Sequence, residues 1–154
     1  MRHDAAVWVI EDGPENVQIL REAMRLCAVS CNMSVAENGA VAMQTIEQYR
    51  AGTLRPIPDL VLLDLNLPNV SGQGILQALK ADPNLKSIPV IVLSGSRSQE
   101  EIDSVYRLHA NAFVPKPDRL DDFMSLVASL GAFWLNVAVL PTSADDRYAT
   151  HQKP

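Results

Sequence analysis

Two cysteines and three histidines are the only thiols and imidazoles that 154 residues offer to a metal. Cys27 and Cys31 lie four apart with no partner cluster, and His3, His109 and His151 are scattered, so no zinc or redox motif is formed. Both thiols read as small buried hydrophobes near a helix end. Positive charge is also scarce. Thirteen Lys and Arg against 18 Asp and Glu leave a formal net charge of −5, with no long basic run. That balance argues against an electrostatic grip on nucleic acid or on an anionic membrane, and points to proteins or cations as partners. Long apolar runs are missing as well. MRHDAAVWVIED at the start is too short for a secretory signal, and no segment approaches the roughly 18 uninterrupted apolar residues of a membrane span. A soluble, cytoplasmic protein is expected.

What is present is ordinary for one compact α/β domain: 47% hydrophobic and 20% charged residues. Short apolar runs at Val7 to Ile10, Met33 to Ala36, Leu60 to Leu63, Val90 to Leu93 and Ala112 to Val114 fit buried strands. Between them run helix-period segments. Glu15 to Cys27 carries Val17, Leu20, Met24 and Cys27 at helical spacing, and Gly39 to Ala51 follows the N-cap candidate Asn38. Gly72 to Ala81 stops at Asp82-Pro83-Asn84. Ser98 to His109 sets Ile102, Val105, Tyr106 and His109 on one face. A last helix from Leu120 keeps Phe123, Leu126, Val127, Leu130, Phe133, Trp134 and Val137 on one stripe and is expected to run on to Leu140. The alternation predicts a parallel sheet with helices on both faces. Thr53 to Asp59 reads as a loop, and the polar tail 142–154 cannot bury enough apolar surface to fold alone.

Ligands of open parallel sheets bind at the carboxyl ends of the strands. The first strand ends in Glu11-Asp12, the third in Asp64, the fourth in Ser94-Gly95-Ser96 and the fifth in Pro115-Lys116-Pro117. Three acids, a hydroxyl and a lysine therefore share one rim. Three adjacent carboxylates repel, and a hard divalent ion such as Mg²⁺ suits them. With a cation on Glu11 and Asp12, Asp64 is free to act as a nucleophile toward phosphorus. Lys116 supplies positive charge, Ser94 a hydroxyl and Gly95 an unobstructed backbone N–H. Alone, each residue has a bland reading: a helix cap, a surface lysine, a turn serine. Their coincidence at one rim favours function.

These residues resemble the response-regulator receiver domain of two-component signalling. The motifs are Glu11-Asp12, Asp64-Leu65-Asn66-Leu67-Pro68 with Ser71-Gly72, Ser94-Gly95 and Lys116-Pro117, in order across roughly residues 5 to 130. The resemblance implies a flavodoxin-like (βα)5 fold, strand order 2-1-3-4-5, phosphorylated on Asp64 by a histidine kinase or phosphotransfer protein. It maps Mg²⁺ onto Asp12 and Asp64, with the Asn66 backbone carbonyl and with Glu11 acting through water. Ser94 and Phe113 correspond to a switch pair that biases the surface of the fourth and fifth helices and fifth strand. Pro117 follows Lys116 through a peptide bond that is often cis in that family.

FWLNVAVLP at 133–141 looks like the C-terminal extension of stand-alone regulators paired with bacterial and cyanobacterial phytochromes. Those lack an output domain and dimerise through the last helix. The implied organisation is a receiver at 1–130, a helical extension at 131–141 forming a homodimer through Phe133, Trp134, Val137 and Leu140, and the tail. Gly13 after the acidic pair, Ser94 in place of threonine and Pro115 before the lysine depart from the common pattern, and are expected to alter rates. Two other classes stay open. A metal-dependent phosphatase with an aspartate nucleophile wants a second acid two residues on, where Asn66 stands; an unphosphorylated interaction module would more readily have lost an acid or the lysine. Flavin binding is disfavoured by EDGPEN, which is no phosphate loop.

Overall fold

The computed structural model of the protein describes residues 4–26 and 30–141. Cys27, His3, His151 and the polar tail lie outside them. Five parallel strands, β1 (Ala5–Ile10), β2 (Cys31–Ala36), β3 (Leu60–Asp64), β4 (Val90–Ser94) and β5 (Ala112–Pro115), form one sheet in the order 2-1-3-4-5. Five helices, α1 (Pro14–Leu26), α2 (Gly39–Ala51), α3 (Gly72–Ala81), α4 (Gln99–Arg107) and α5 (Leu120–Gly131), alternate with them. This is the flavodoxin-like order expected from the sequence. No helix among the described residues is long and apolar enough to cross a membrane.

Because strand side chains alternate between faces, each apolar strand feeds two cores. Trp8, Ile10, Val61, Leu63, Val90 and Val92 face Ile46, Ile75, Leu76, Leu79 and Val105, from α2, α3 and α4. Val7, Val9, Leu60, Leu62, Ile91 and Leu93 face Leu20, Ala23, Met24, Phe123 and Val127, from α1 and α5. The caps follow residue chemistry. Asn38 Oδ1 accepts the Val41 N–H at 2.8 Å, and Ser71 Oγ the Gly74 N–H at 3.1 Å.

Three expectations are corrected. The fourth helix stops at Arg107, because His109 takes φ 71°, and Tyr106 and His109 are exposed while Val105 is buried, so the four residues do not share one face. The last helix is not one continuous α-helix to Leu140: after Gly131 it widens into a π-helical turn over Ala132–Val137, closed by Ala138 N–H donating to Phe133 O at 2.7 Å, and Ala138 is extended. The wider turn rotates the stripe, so that Trp134 and Leu135 pack on the α1–α5 core while Phe133 and Val137 stay 51% and 70% exposed. Finally, the cis bond among the described residues is Arg55–Pro56, and Lys116–Pro117 is trans.

At the amino edge of the sheet, Lys80 Nζ donates to Lys86 O at 3.0 Å, Ile88 O at 2.8 Å and Asn111 Oδ1 at 3.0 Å. Asn111 Oδ1 also accepts the Val90 N–H at 2.8 Å, so one ammonium joins α3 to the starts of β4 and β5. Lys80→Met leaves two carbonyls without that donor, and the variant is expected to lose about 1–3 kcal/mol in urea denaturation. An unchanged midpoint would remove Lys80 from the account of the fold.

Candidate functional site

Strand β1 runs apolar to Ile10 and then delivers Glu11, which remains only 4% exposed, and Asp12, which is exposed. Strand β3, buried along its whole length, ends on Asp64, 5% exposed. One carboxylate oxygen from each of Glu11, Asp12 and Asp64 lies within 4.8 Å of the others. Lys116, just past β5, places Nζ 2.9 Å from Glu11 Oε2 and 3.3 Å from Asp64 Oδ2. Its own N–H donates to Ser94 O at 2.8 Å, which seats the lysine against the end of β4.

The two buried acids differ in ionisation. Burial pushes Glu11 up, but hydrogen bonds from Lys116, Asn16 and Gly13, with the lysine's charge, outweigh it and hold Glu11 below its ordinary value. Asp64 goes the other way. Burial, with the Glu11 charge beside it, raises its carboxyl over the opposing pull of Lys116 and of the Asn66 N–H, which donates to Oδ1 at 3.0 Å. The site thus holds more negative charge than one lysine balances. An all-oxygen donor set of this kind suits a hard divalent cation.

The predicted residues fall into place unevenly. Glu11, Asp12, Asp64, Asn66, Ser94 and Lys116 gather at the carboxyl edge. Ser94 is fully buried, and its Oγ accepts the Ser96 N–H at 3.1 Å. A Cβ built on Gly95 meets nothing within 4 Å, so the space there is open. Phe113 is half-buried against the α2–α3–α4 core, and Phe133, Trp134, Val137 and Leu140 belong to the C-terminal segment. The region beside Gly13 is partly filled: Asn16 Nδ2 donates to Glu11 Oε1 at 3.0 Å, and a Cβ on Gly13 would meet that oxygen at 3.1 Å. Sequence reasoning missed Asn16; its only signal was a polar residue in the first turn of a helix that starts beside the acids. Gly72, placed behind Asp64, permits a close approach, since a Cβ there would stand 2.7 Å from Leu65 Cα and 3.0 Å from Asp64 O.

A family model described as the response regulator receiver domain matches residues 7–128. The chain belongs to the response regulator receiver family. This receiver is similar to Response regulator Rcp1 of Synechocystis sp., 31% identical over 137 residues, 89% of this chain and 93% of that protein. Among solved structures, the Mn²⁺-bound form of Rcp1 matches with a TM-score of 0.83 at 30% identity, covering 90% of this chain and 99% of that one. The phosphorylated cyanobacterial phytochrome response regulator RcpA matches with a TM-score of 0.83 at 34% identity, covering 91% and 100%.

The raised Asp64 carboxyl carries a stability prediction for the metal-free receiver. Its folded value lies above the ordinary 3.8, so the folded state binds the proton more tightly than the unfolded chain. Stability from this group therefore falls as pH climbs from 3.8 through the raised value, and stays low above it. Asp64→Asn removes that cost. In chelator at neutral pH the variant is expected to melt higher by about 2–4 °C; divalent cation is expected to raise the melting temperature of the native receiver and to do little for the variant. A lower melting point for Asp64→Asn in chelator would show that the Lys116 pairing outweighs burial.

Proposed function

We propose that this receiver is a stand-alone response regulator, phosphorylated on Asp64 by a sensor histidine kinase of the phytochrome type or by a phosphotransfer protein. The observation that carries the reading is the buried Asp64 carboxylate facing Lys116 Nζ, with Glu11 and Asp12 beside it. In the proposed step an Asp64 oxygen attacks the phosphorus of a phosphohistidine, the P–N bond breaks, and the imidazole leaves and takes up a proton. An acyl phosphate remains. Lys116 holds positive charge where the phosphoryl oxygens arrive, and Ser94 and the Gly95 N–H offer donors on the opposite side. Glu11, Asp12, Asp64 and the Asn66 backbone carbonyl would hold Mg²⁺, which when bound neutralises phosphoryl charge. The receiver catalyses nothing beyond its own phosphorylation and dephosphorylation. The phytochrome association is supported by likeness to the phosphorylated cyanobacterial phytochrome response regulator RcpA, a cytoplasmic location by the lack of a long apolar helix among the described residues, and indifference to nucleic acid and anionic membrane by the acidic composition.

Phosphorylation is read as biasing the surface of α4, β5 and α5, with Ser94 and Phe113 as its inner pair. The receiver proper is assigned to 1–130 and an interface to 131–141. Phe133 and Val137, with Val139 at 89% exposure, leave apolar surface that a two-fold homodimer would cover, flanked by Trp134 and Leu140.

Intact mass after incubation with Mg²⁺ and acetyl phosphate tests the chemistry. The native chain should gain one phosphoryl group, and neither chelator-treated chain nor Asp64→Asn should gain any. No gain in a folded, Mg²⁺-supplied native chain would reject Asp64 as an acceptor from small donors. Sedimentation velocity tests the assembly: the native chain should run as a dimer, and Phe133→Asp with Val137→Asp as a folded monomer with an unchanged far-ultraviolet circular dichroism spectrum and a lower melting temperature, as loss of subunit binding requires. A native monomer at tens of micromolar would reject the interface.

A further inference from the structure

Glu11 is buried at the rim, and both of its carboxylate oxygens are already engaged. Oε2 accepts from Lys116 Nζ at 2.9 Å. Oε1 accepts two hydrogen bonds from the approach to α1, one from the Asn16 side-chain amide at 3.0 Å and one from the Gly13 N–H at 3.2 Å. A carboxylate has about four lone-pair sites, so three donors leave Glu11 little freedom to turn. Asp64 is held less fully: it meets one backbone N–H, from Asn66, and the same lysine.

The hold on Glu11 comes from an unusual helix start. Helix α1 opens at Pro14, and the Gly13 carbonyl accepts the Val17 N–H at 3.1 Å. Gly13 has no side chain with which to cap the helix. In a capping box the third helical residue reaches back with its side chain to the N–H of the cap residue. Here Glu11 takes the Gly13 N–H, and the third residue, Asn16, reaches to the acid itself. It can do so because an amide nitrogen donates; an ionised carboxylate at position 16 would have no proton to give. Room is tight, since a Cβ on Gly13 would stand 3.1 Å from Glu11 Oε1 and 3.2 Å from Asn16 Nδ2. Glycine at 13 and an amide at 16 belong to one arrangement.

We propose that Asn16 is a positioning residue that holds the Glu11 carboxylate on Lys116, so that a cation at the rim meets only Asp12 and Asp64 as direct carboxylate ligands and Mg²⁺ is favoured over Ca²⁺. The inference rests on the reading of this rim as the metal and phosphoacceptor site. Ca²⁺ takes roughly six to eight oxygens and often bidentate carboxylates, whereas Mg²⁺ is satisfied by about one or two carboxylates and keeps several waters. One Glu11 oxygen already lies within 4.8 Å of oxygens of Asp12 and Asp64. Without the Asn16 amide, Oε1 keeps the Gly13 N–H alone, and a turn of the Glu11 side chain brings a third carboxylate to the ion. The ion that wants more oxygens gains more from that turn. A role confined to the start of α1 would affect stability and leave the preference between ions untouched.

Calorimetric titration of the full chain with magnesium chloride and, separately, with calcium chloride tests this in the native protein, Asn16→Ala and Gly13→Ala. Asn16→Ala should bind Ca²⁺ about tenfold more tightly than the native chain and Mg²⁺ within about twofold of it. Gly13→Ala leaves the amide in place but crowds its bond to Glu11, and should move the ratio of the two affinities in the same direction by a smaller factor. A native ratio in folded Asn16→Ala, whatever its melting temperature, overturns the proposal and leaves Asn16 as part of the helix start. Should Asn16→Ala fail to fold, Gly13→Ala decides: a shifted ratio supports the proposal and an unchanged one overturns it. A native chain that binds neither ion rejects the metal reading of the rim, and the proposal with it. If instead the native chain binds Mg²⁺ and gains a phosphoryl group while both variants keep its ratio, the proposal alone is overturned.

Discussion

The pairing of Lys116 with Glu11 and Asp64 spans 105 residues of chain, and the site depends on it. Three carboxylates within 4.8 Å, two of them buried, repel one another and need a counter-charge. The ammonium can arrive only because the strand order puts β5 beyond β4 on the same edge, and because the Lys116 N–H locks onto Ser94 O. Parallel strands end their carboxyl termini on one side, so a residue after each strand meets the others without any special loop. The topology is in this sense the cause of the chemistry.

The energetic cost is confined to that edge. Among the described residues the fully buried polar or charged ones are Glu11, Asp64 and Ser94. All other buried large side chains are apolar, divided between two cores that the sheet separates. Burying charge is expensive and burying Val, Leu and Ile is favourable, so a chain with long, wholly buried β3 and β4 can carry a strained electrostatic site at their ends. Asp64 shows the balance. Its carboxyl is raised although a lysine lies 3.3 Å away, so that burial together with Glu11 outweighs the lysine.

Much of this was legible in the sequence, for a physical reason. Strands buried on both faces need unbroken apolar runs, and the runs at Leu60 and Val90 were found to within a residue; Asn38 and the Asp82 stop gave α2 and α3 their limits. The acids and Lys116 were legible because strand ends are. What was not legible depended on backbone choices that residue type leaves open. Helical period alone extended α4 to His109, where a left-handed residue ends it, and extended α5 as an α-helix, where a π-turn exchanges Phe133 for Leu135 on the inner face. Asn16 and Lys80 were missed, and Tyr106 was read only as part of a helix face, because hydrogen bonds from single polar side chains leave no pattern in sequence.

The two helices that follow site strands also differ in how firmly they are held. Helix α3 begins at Gly72, whose missing Cβ lets the backbone lie against Leu65 and Asp64, and it buries Ile75, Leu76 and Leu79. Shifting it would open the core, at about 1 kcal/mol or more for each methylene withdrawn. Helix α4 follows Ser94, buries Val105 alone, and is otherwise fixed by hydroxyls. Both lie close in sequence to the site, yet only one can move cheaply. On the proposed reading, a change of charge at Asp64 would meet least resistance on the side of Ser94 and α4, while α3 keeps Asp64 itself in place.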